Sequence, residues 1–335
     1  MTLEDVARSA GVSPATVSRC LNTPSLVRPA LKAKVQEAIE RLEYLPNGAA
    51  RALASQRSRM IGAVFPSLDS TLFGGALEAL QGEISTEGYT LVVAATSYSA
   101  ARERSHVQNL LASGIDALVL VGAERPPEVY RMIERKGIPY VLIWIDRTEG
   151  AHPCIGFDNH GAGQAVARHL LDMGHRHIAM VSGPLAENDR AKSRLAGVRT
   201  ALAERGLSLP ADHLIERPFG VAGGREAFRL LMSRQPRPTA IVCGSEPFAY
   251  GAIFESQAMG VAIPGEVSVT GFDDMWLAAQ ITPSLTTVRT PQRQMGAEAG
   301  RYLLSRLSGK EIAAGRPLDF ELVVRASSGP PPREG

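Results

Sequence analysis

Residues 2–22 read TLEDVARSAGVSPATVSRCLN, and these residue types spell two short helices joined by a tight turn. Thr2, followed three positions later by Asp5, has the residue types of a capping box or its aspartate variant. Val6, Ala7 and Ala10 give the first helix one small apolar face. Gly11 falls where that helix must stop in a conformation of positive φ, which glycine adopts without a Cβ penalty. Ser13 and Pro14 form the next start signal, a capping hydroxyl and then a proline at the first helical position. Val17 and Leu21, four apart, face inward with Val12 close behind. Ala15 and Arg19, also four apart, share a different face. That face is small at one end and basic further along, as a helix entering a major groove must be. The competing reading is a helical hairpin that merely packs against something else.

Working outward, Pro29 starts a third helix, in which Leu31, Val35, Ala38, Ile39 and Leu42 recur at helical spacing and close a three-helix core. Tyr44-Leu45-Pro46-Asn47 follows, then GAARALAS (48–55), a small apolar stretch too short to hold a helix in water unaided. Charge is uneven along the chain. The net is +2, but residues 1–59 hold nine Lys/Arg against five Asp/Glu, so that segment is +4 and the remainder −2. Positive charge is concentrated where phosphate contacts would be made.

After residue 59 apolar strand-like runs alternate with helical stretches. The runs are 61–66, 90–96, 117–122 and 140–146, then 177–183, 240–245 and 267–273, with a weaker one near Leu214. Strands this apolar imply parallel sheets covered on both faces. There are two series, joined near Ile155-Gly156-Phe157-Asp158, so the expectation is two doubly wound halves with a cleft between them. Leu285–Thr290 is expected to cross back into the first half, Gln292–Leu307 to pack there, and Phe320–Val324 to supply a last strand. At 335 residues the chain has room for two or three domains. No apolar run reaches membrane-spanning length, and no signal-peptide core precedes Glu4. Cys20, Cys154 and Cys243 lack metal spacing and suit a reducing cytosol.

VARSAGVSPATVSRCLN, YLPNGAARALASQRS and IGAVFPSL, and later GHRHIAMVSGP, SRLAGVRTAL, VSVTGFDDM and PSLTTVRTPQRQMG, resemble a lactose-repressor/galactose-repressor family transcription factor along almost the whole chain. The resemblance implies an α/β protein: a helix-turn-helix headpiece (1–45), a hinge (46–58) and a periplasmic-binding-protein-like core (59–335). The core would comprise a first subdomain at about 59–155 and 288–316, and a second at about 156–287 and 317–326. It also implies a cytoplasmic homodimer, without a membrane role, on double-stranded operator DNA, regulated by a small sugar, sugar acid or related metabolite.

For DNA, the family's base-discriminating positions fall on Pro14, Ala15 and Arg19. Arg19 can bind a guanine edge through two hydrogen bonds, whereas Pro14 and Ala15 offer only apolar contact, for example to a thymine methyl. Ser13, Thr16, Ser18 and Asn22, with Thr2, would orient the helix on phosphates. The hinge helix would be capped by Asn47, pack through Ala49, Ala50 and Leu53 on its partner copy, and wedge Leu53 into the minor groove.

Ligands of such sheets sit beyond the carboxyl ends of the strands. Asp273, after a strong strand, can accept bonds from ligand hydroxyls. A paired-acid reading with Asp274 fails because adjacent residues on an extended segment point to opposite sides; Asp274 is expected to cap a helix near Met275. Arg194 matches the family's effector-contacting arginine, and Asn188 and Arg190 lie on the same loop. Two arginines suit an anionic ligand. Asp146, Phe219, Leu72 and Phe73 match positions near the ligand. Ser245-Glu246 replaces the usual Asn-Asp, so Ser245 reaches less far than an amide. His175 and His177 lack a third metal ligand, and neither Gly161-Ala162-Gly163 nor Gly220–Gly224 has dinucleotide spacing. With no Walker loop, Gly-x-Ser-x-Gly or zinc-protease helix, neither an enzyme nor a cofactor nor a metal is expected. A sugar-binding protein without a DNA role would not need residues 2–55, and the Ser-Ser-Gly-Pro-Pro-Pro end lacks the heptads of a tetramer-forming tail.

Two substitutions separate readout from anchoring. Arg19→Ala is expected to lose affinity unequally across single-base operator variants, and Leu53→Ala to weaken binding on all of them. Equal loss for Arg19→Ala would confine it to phosphate, and parent-like binding by Leu53→Ala would remove the wedge.

Overall fold

The structure, a computed structural model, describes residues 1–22, 26–45, 48, 52, 57–68, 71–146, 152–312 and 317–332. The headpiece comprises α1 (Leu3–Ala10), α2 (Pro14–Asn22) and α3 (Pro29–Arg41). The reciprocal capping box forms: Asp5 N–H donates to the Thr2 hydroxyl at 3.3 Å, and Thr2 N–H to Asp5 Oδ2 at 2.9 Å. Gly11 takes φ +65° and sends its N–H back to the carbonyls of Ala7 and Arg8. Ser13 Oγ accepts from Thr16 N–H at 3.2 Å and so starts α2. Val6, Val17, Val35 and Ala38 are buried together. Each buried valine contributes roughly 1.5–3 kcal/mol, which lets three short helices fold as a unit.

The first lobe runs β1 (Met60–Phe65), α4 (Gly74–Ser85), β2 (Thr90–Ala95), α5 (Ala100–Ala112), β3 (Ala117–Val121), α6 (Pro127–Lys136), β4 (Tyr140–Ile143) and β5 (Cys154–Ile155). Its sheet has the order β2-β1-β3-β4-β5, all parallel. The second lobe runs α7 (Asn159–Asp172), β6 (Ile178–Ser182), α8 (Asp189–Ala203), β7 (Leu214–Glu216), α9 (Val221–Met232), β8 (Ala240–Cys243), α10 (Glu246–Met259), β9 (Ser268–Asp273) and β10 (Thr286–Arg289). After it come α11 (Gln292–Leu307) and β11 (Glu321–Val323). The second sheet has the order β11-β10-β9-β8-β6-β7, antiparallel only at β11. The central strands are buried, β3 and β6 at every residue, because helices cover both faces.

One expectation is overturned. The strand at 286–289 does not enter the first half but pairs with β9, Thr286 opposite Thr270. Its polar side chains explain the choice. Thr287 donates to Glu246 at 2.8 Å, and the Thr286 hydroxyl donates to the Arg325 carbonyl at 3.1 Å and shares a bond with Ser328 Oγ at 2.8 Å, all in the second lobe. The crossing comes after it, and α11 then packs on α4 as expected. That packing is backbone-close, since a Cβ on Gly296 would lie 2.1 Å from the Ala76 carbonyl oxygen. The largest buried cluster runs from Phe65 and Trp144 through Phe157 to Leu170 and Phe272, so the join between the lobes is packed rather than loosely tethered.

Gly296→Ala is therefore expected to push α11 off α4 and lower stability by about 1–3 kcal/mol, the usual cost of overpacking. Urea denaturation checks this; a parent-like midpoint would mean that α11 shifts without resistance.

Candidate functional site

The outward face of α2 carries Ser13, Pro14, Ala15 and Arg19 exposed, with Thr16 and Ser18 half-exposed beside them. Thr2 is exposed too, its hydroxyl engaged in the α1 cap. Asn47, Ala50 and Leu53 lie outside the described residues, as does the side chain of Asn22.

Between the lobes is a cavity of about 480 Å³, its open mouth included. It gathers Leu72, Phe73, Asn188, Arg190, Arg194, Phe219 and Ser245, all anticipated from the sequence. It also includes Tyr98, Trp144, Met180 and Ser182, which were not. Tyr98 stands just past β2, where the strand-end rule applies, whereas Trp144 lies inside the run read as a strand at 140–146 and is brought to the strand end because β4 stops at Ile143. Both take positive φ, +58° and +68°, a conformation that costs a bulky residue energy and marks a constrained position. Tyr98 of the first lobe stacks on Phe219 of the second at 4.5 Å between ring centres, and its hydroxyl pKa is pushed up to about 12 by burial. Phe219 lies flat on the chain beyond β6, where a Cβ on Gly183 would meet the ring at 2.1 Å.

Arg194 is built in from several sides. Nε donates to Asn159 Oδ1 at 2.9 Å and Nη1 to the Gly244 carbonyl at 2.8 Å. Its guanidinium lies 4.6 Å from the Phe272 ring centre, a cation–π geometry. Helices α7 and α8 touch backbone to backbone here, since a Cβ on Gly163 would stand 2.2 Å from the Arg194 carbonyl oxygen. Burial lowers its pKa, and the Asp273 charge opposes that shift.

Asp273 does not line the cavity. It is 2% exposed, sits at φ +118°, and neither carboxylate oxygen reaches a donor at hydrogen-bond distance among the described residues. Burial pushes its pKa up to about 6, opposed by Arg194 and by a looser interaction with the Thr290 hydroxyl. Asp274 is no helix cap: it pairs with Arg289 at 2.8 Å and Arg325 at 2.7 Å. Those two cations, one on β10 and one beyond β11, hold its carboxylate away from the short helix at Trp276–Ala279. Asp146 lies outside this cavity, in a neighbouring hollow with Asp158, His160, Asp189 and Ser193.

Asn188 has a structural task as well, accepting from Ala191 N–H to cap α8. Ser245 is buried at the cavity wall, while Glu246 turns inward. Glu246 accepts from Tyr250, Thr287 and the Met275 N–H at 2.5, 2.8 and 2.9 Å, and burial pushes its pKa up to about 7. The Ser-Glu departure thus places the carboxylate in the second lobe's interior. His175 is tied to Thr239, Ser268 and the Gly329 carbonyl, whereas His177 is exposed ahead of β6. No cluster of metal-binding side chains occurs among the described residues.

A helix-turn-helix headpiece ahead of a two-lobed binding core defines a class of regulator. Residues 2–47 match the bacterial regulatory proteins of the lacI family, and 167–328 a periplasmic binding protein-like domain. The HTH-type transcriptional regulator GntR of Pseudomonas aeruginosa is 37% identical over 98% of this chain and 95% of its own. The lac repressor dimer bound to operator and the anti-inducer ONPF superposes with a TM-score of 0.84 at 27% identity, covering 98% of this chain and 99% of that one. The CelR–cellobiose complex does so at 0.72 and 29% identity, with the same coverage. The chain belongs to the LacI family of DNA-binding, effector-controlled transcriptional regulators and is not an enzyme.

The Asp273 environment makes a pH prediction. A carboxyl whose pKa rises from 3.8 to about 6 on folding stabilises the fold relative to its ionised form below 3.8, and that advantage is lost as pH rises through about 6. Relative to Asp273→Asn, the parent is expected to lose up to about 3 kcal/mol between pH 4 and 7. Urea midpoints measured across this range check it; a pH-independent difference would sink it.

Proposed function

We propose that this chain is a repressor that binds a near-palindromic operator as a homodimer through α2, under the control of a small sugar or sugar acid in the interlobe cavity. The observation that carries the ligand reading is the composition of the cavity wall. Aromatic faces from Tyr98, Trp144 and Phe219 meet polar groups from Ser182, Asn188, Arg190, Arg194 and Ser245. Flat rings suit the C–H faces of a sugar, and forked guanidinium groups suit its hydroxyls or a carboxylate. The cellobiose complex of CelR supports a sugar in a related fold. We assign the base-reading role to Pro14, Ala15 and Arg19, and phosphate contacts to Thr2, Ser13, Thr16, Ser18 and Asn22.

Two arguments support a dimer. One recognition helix reads too few bases for a selective site, and the lac repressor neighbour is a dimer on its operator. The hinge at Asn47, Ala50 and Leu53 would enter the minor groove between the two recognition helices. Acting on chromosomal DNA would put such a protein in the bacterial cytoplasm. No helix among the described residues is long and apolar enough to cross a membrane.

The test couples two measurements on the full-length protein. Selection from random duplexes is expected to return an inverted repeat. A thermal-shift screen of sugars, sugar acids, nucleosides and phosphorylated sugars is expected to give a stabilising ligand, worth about 2.7 kcal/mol at a hundred times its Kd. That ligand should change operator affinity. No inverted repeat, or a ligand that binds without moving operator affinity, would overturn the proposal.

A further inference from the structure

The loop after β3 is shaped to receive a carboxylate, and the opposite lobe supplies one. Arg125, whose side chain is 1% exposed, donates from Nη2 to the carbonyls of Val121 and Gly122 at 3.1 and 2.7 Å, and its Nε pairs with Glu103 at 2.8 Å. Tyr130 donates its hydroxyl to the Ala123 carbonyl at 2.8 Å. These bonds hold the loop from behind and leave the N–H groups of Ala123 and Glu124 converging on one point, an anion-binding concavity. Oδ2 of Asp189 occupies that point, at 2.5 Å from Ala123 N and 3.3 Å from Glu124 N.

Asp189 opens α8 in the second lobe, where the helix N-terminus favours negative charge. Its other oxygen accepts from Arg190 Nη1 at 2.8 Å. Gly122 makes room for both: it takes φ +75°, and a Cβ there would lie 1.9 Å from Arg190 Nη1 and 2.6 Å from Asp189 Oδ1. Lys192 adds a half-exposed ion pair to Glu124, of the kind that contributes little alone. Neither lobe needs Asp189 for its own fold, because Asn188 already caps α8 and Arg125 and Tyr130 already hold the loop.

We propose that Asp189 is an interlobe latch. Its carboxylate ties α8 to the loop after β3 through two backbone N–H groups, and the same carboxylate positions Arg190 at the cavity wall. While the latch is closed, Arg190 stands between Asp189 and the cavity. When it opens, the lobes lose their charge-assisted link and the guanidinium loses its orienting partner. The latch rests on lobe geometry alone and is tested without DNA or ligand, so its failure and that of the proposed function are distinguishable.

The experiment is backbone hydrogen exchange on the full-length Asp189→Ala and Asp189→Asn proteins, together with Trp144 emission in a Trp276→Phe background that leaves Trp144 as the sole tryptophan. In Asp189→Ala the Ala123 and Glu124 amides are expected to exchange about tenfold faster or more, with β3 still protected and the emission shifted to longer wavelength. Asp189→Asn keeps an acceptor oxygen and is expected to restore part of the amide protection. Unchanged amides and emission in both variants would overturn the latch. Equal acceleration throughout β3 would also overturn it, since that is the mark of a purely structural residue.

Discussion

A guanidinium buried where two lobes meet is the constraint around which this core is arranged. Arg194 is desolvated at a cost far larger than any single contact returns, so every side of it must be satisfied. Asn159 and the Gly244 carbonyl take two of its donors, the Phe272 ring takes its face, and Asp273 supplies the opposite charge. The four partners come from three elements: Asn159 from α7, Gly244 from the turn before α10, and Phe272 and Asp273 from β9. A side chain that needs all four fixes their relative placement. The glycines at 163 and 197 then follow, because α7 and α8 approach to backbone contact around it.

The same reasoning changes how the charges of the cavity are read. Two arginines taken alone make an anion trap. In the structure each arrives with an aspartate, Arg190 with Asp189 and Arg194 with Asp273. An anionic ligand therefore meets two guanidinium groups whose charge is already partly countered by carboxylates behind the cavity wall. Anionic and neutral ligands both belong in a ligand screen, because pair strength differs between the sites. Arg190–Asp189 is partly exposed and bonded, whereas Asp273 is buried, has no hydrogen bond among the described residues, and has its pKa pushed up to about 6 by burial.

Local signals in the sequence were enough for the headpiece and for most of the strands. Thr2, Gly11, Ser13 and Pro14 act within one turn of themselves, and the structure returns each in its expected conformation. What was not legible depended on distant partners. Nothing in Thr-Thr-Val-Arg tells which sheet it joins; Glu246 and Ser328, far away in the chain, decide that. Asp274 looked like a cap because aspartate before a helix usually is one, but two arginines, one on β10 and one beyond β11, claim it. Tyr98 was readable in principle, as a residue just beyond a strand, whereas Trp144 fell inside the apolar run at 140–146 and was hidden because the strand stops at Ile143.

Lobe geometry can influence DNA only if it reaches the headpiece, and the chain provides a rigid start for that route. Where the linker enters the core, Asp116 receives three bonds: Ser58 N–H at 3.0 Å, Ser58 Oγ at 3.2 Å and Arg59 N–H at 2.9 Å. Arg57 adds a bond to the Leu307 carbonyl at the end of α11. The exit of the linker is thus fastened to the first lobe at β3 and α11. On the proposed reading, a ligand that prefers one lobe arrangement gains influence over DNA in proportion to that preference and no further. Because α11 packs backbone-close on α4 at Gly296, the linker exit is tied through α11 to the body of the first lobe. On the proposed reading, the lobe interface where Asp189 meets Ala123 is the place in the core where a ligand's preference for one lobe arrangement acts on the linker exit.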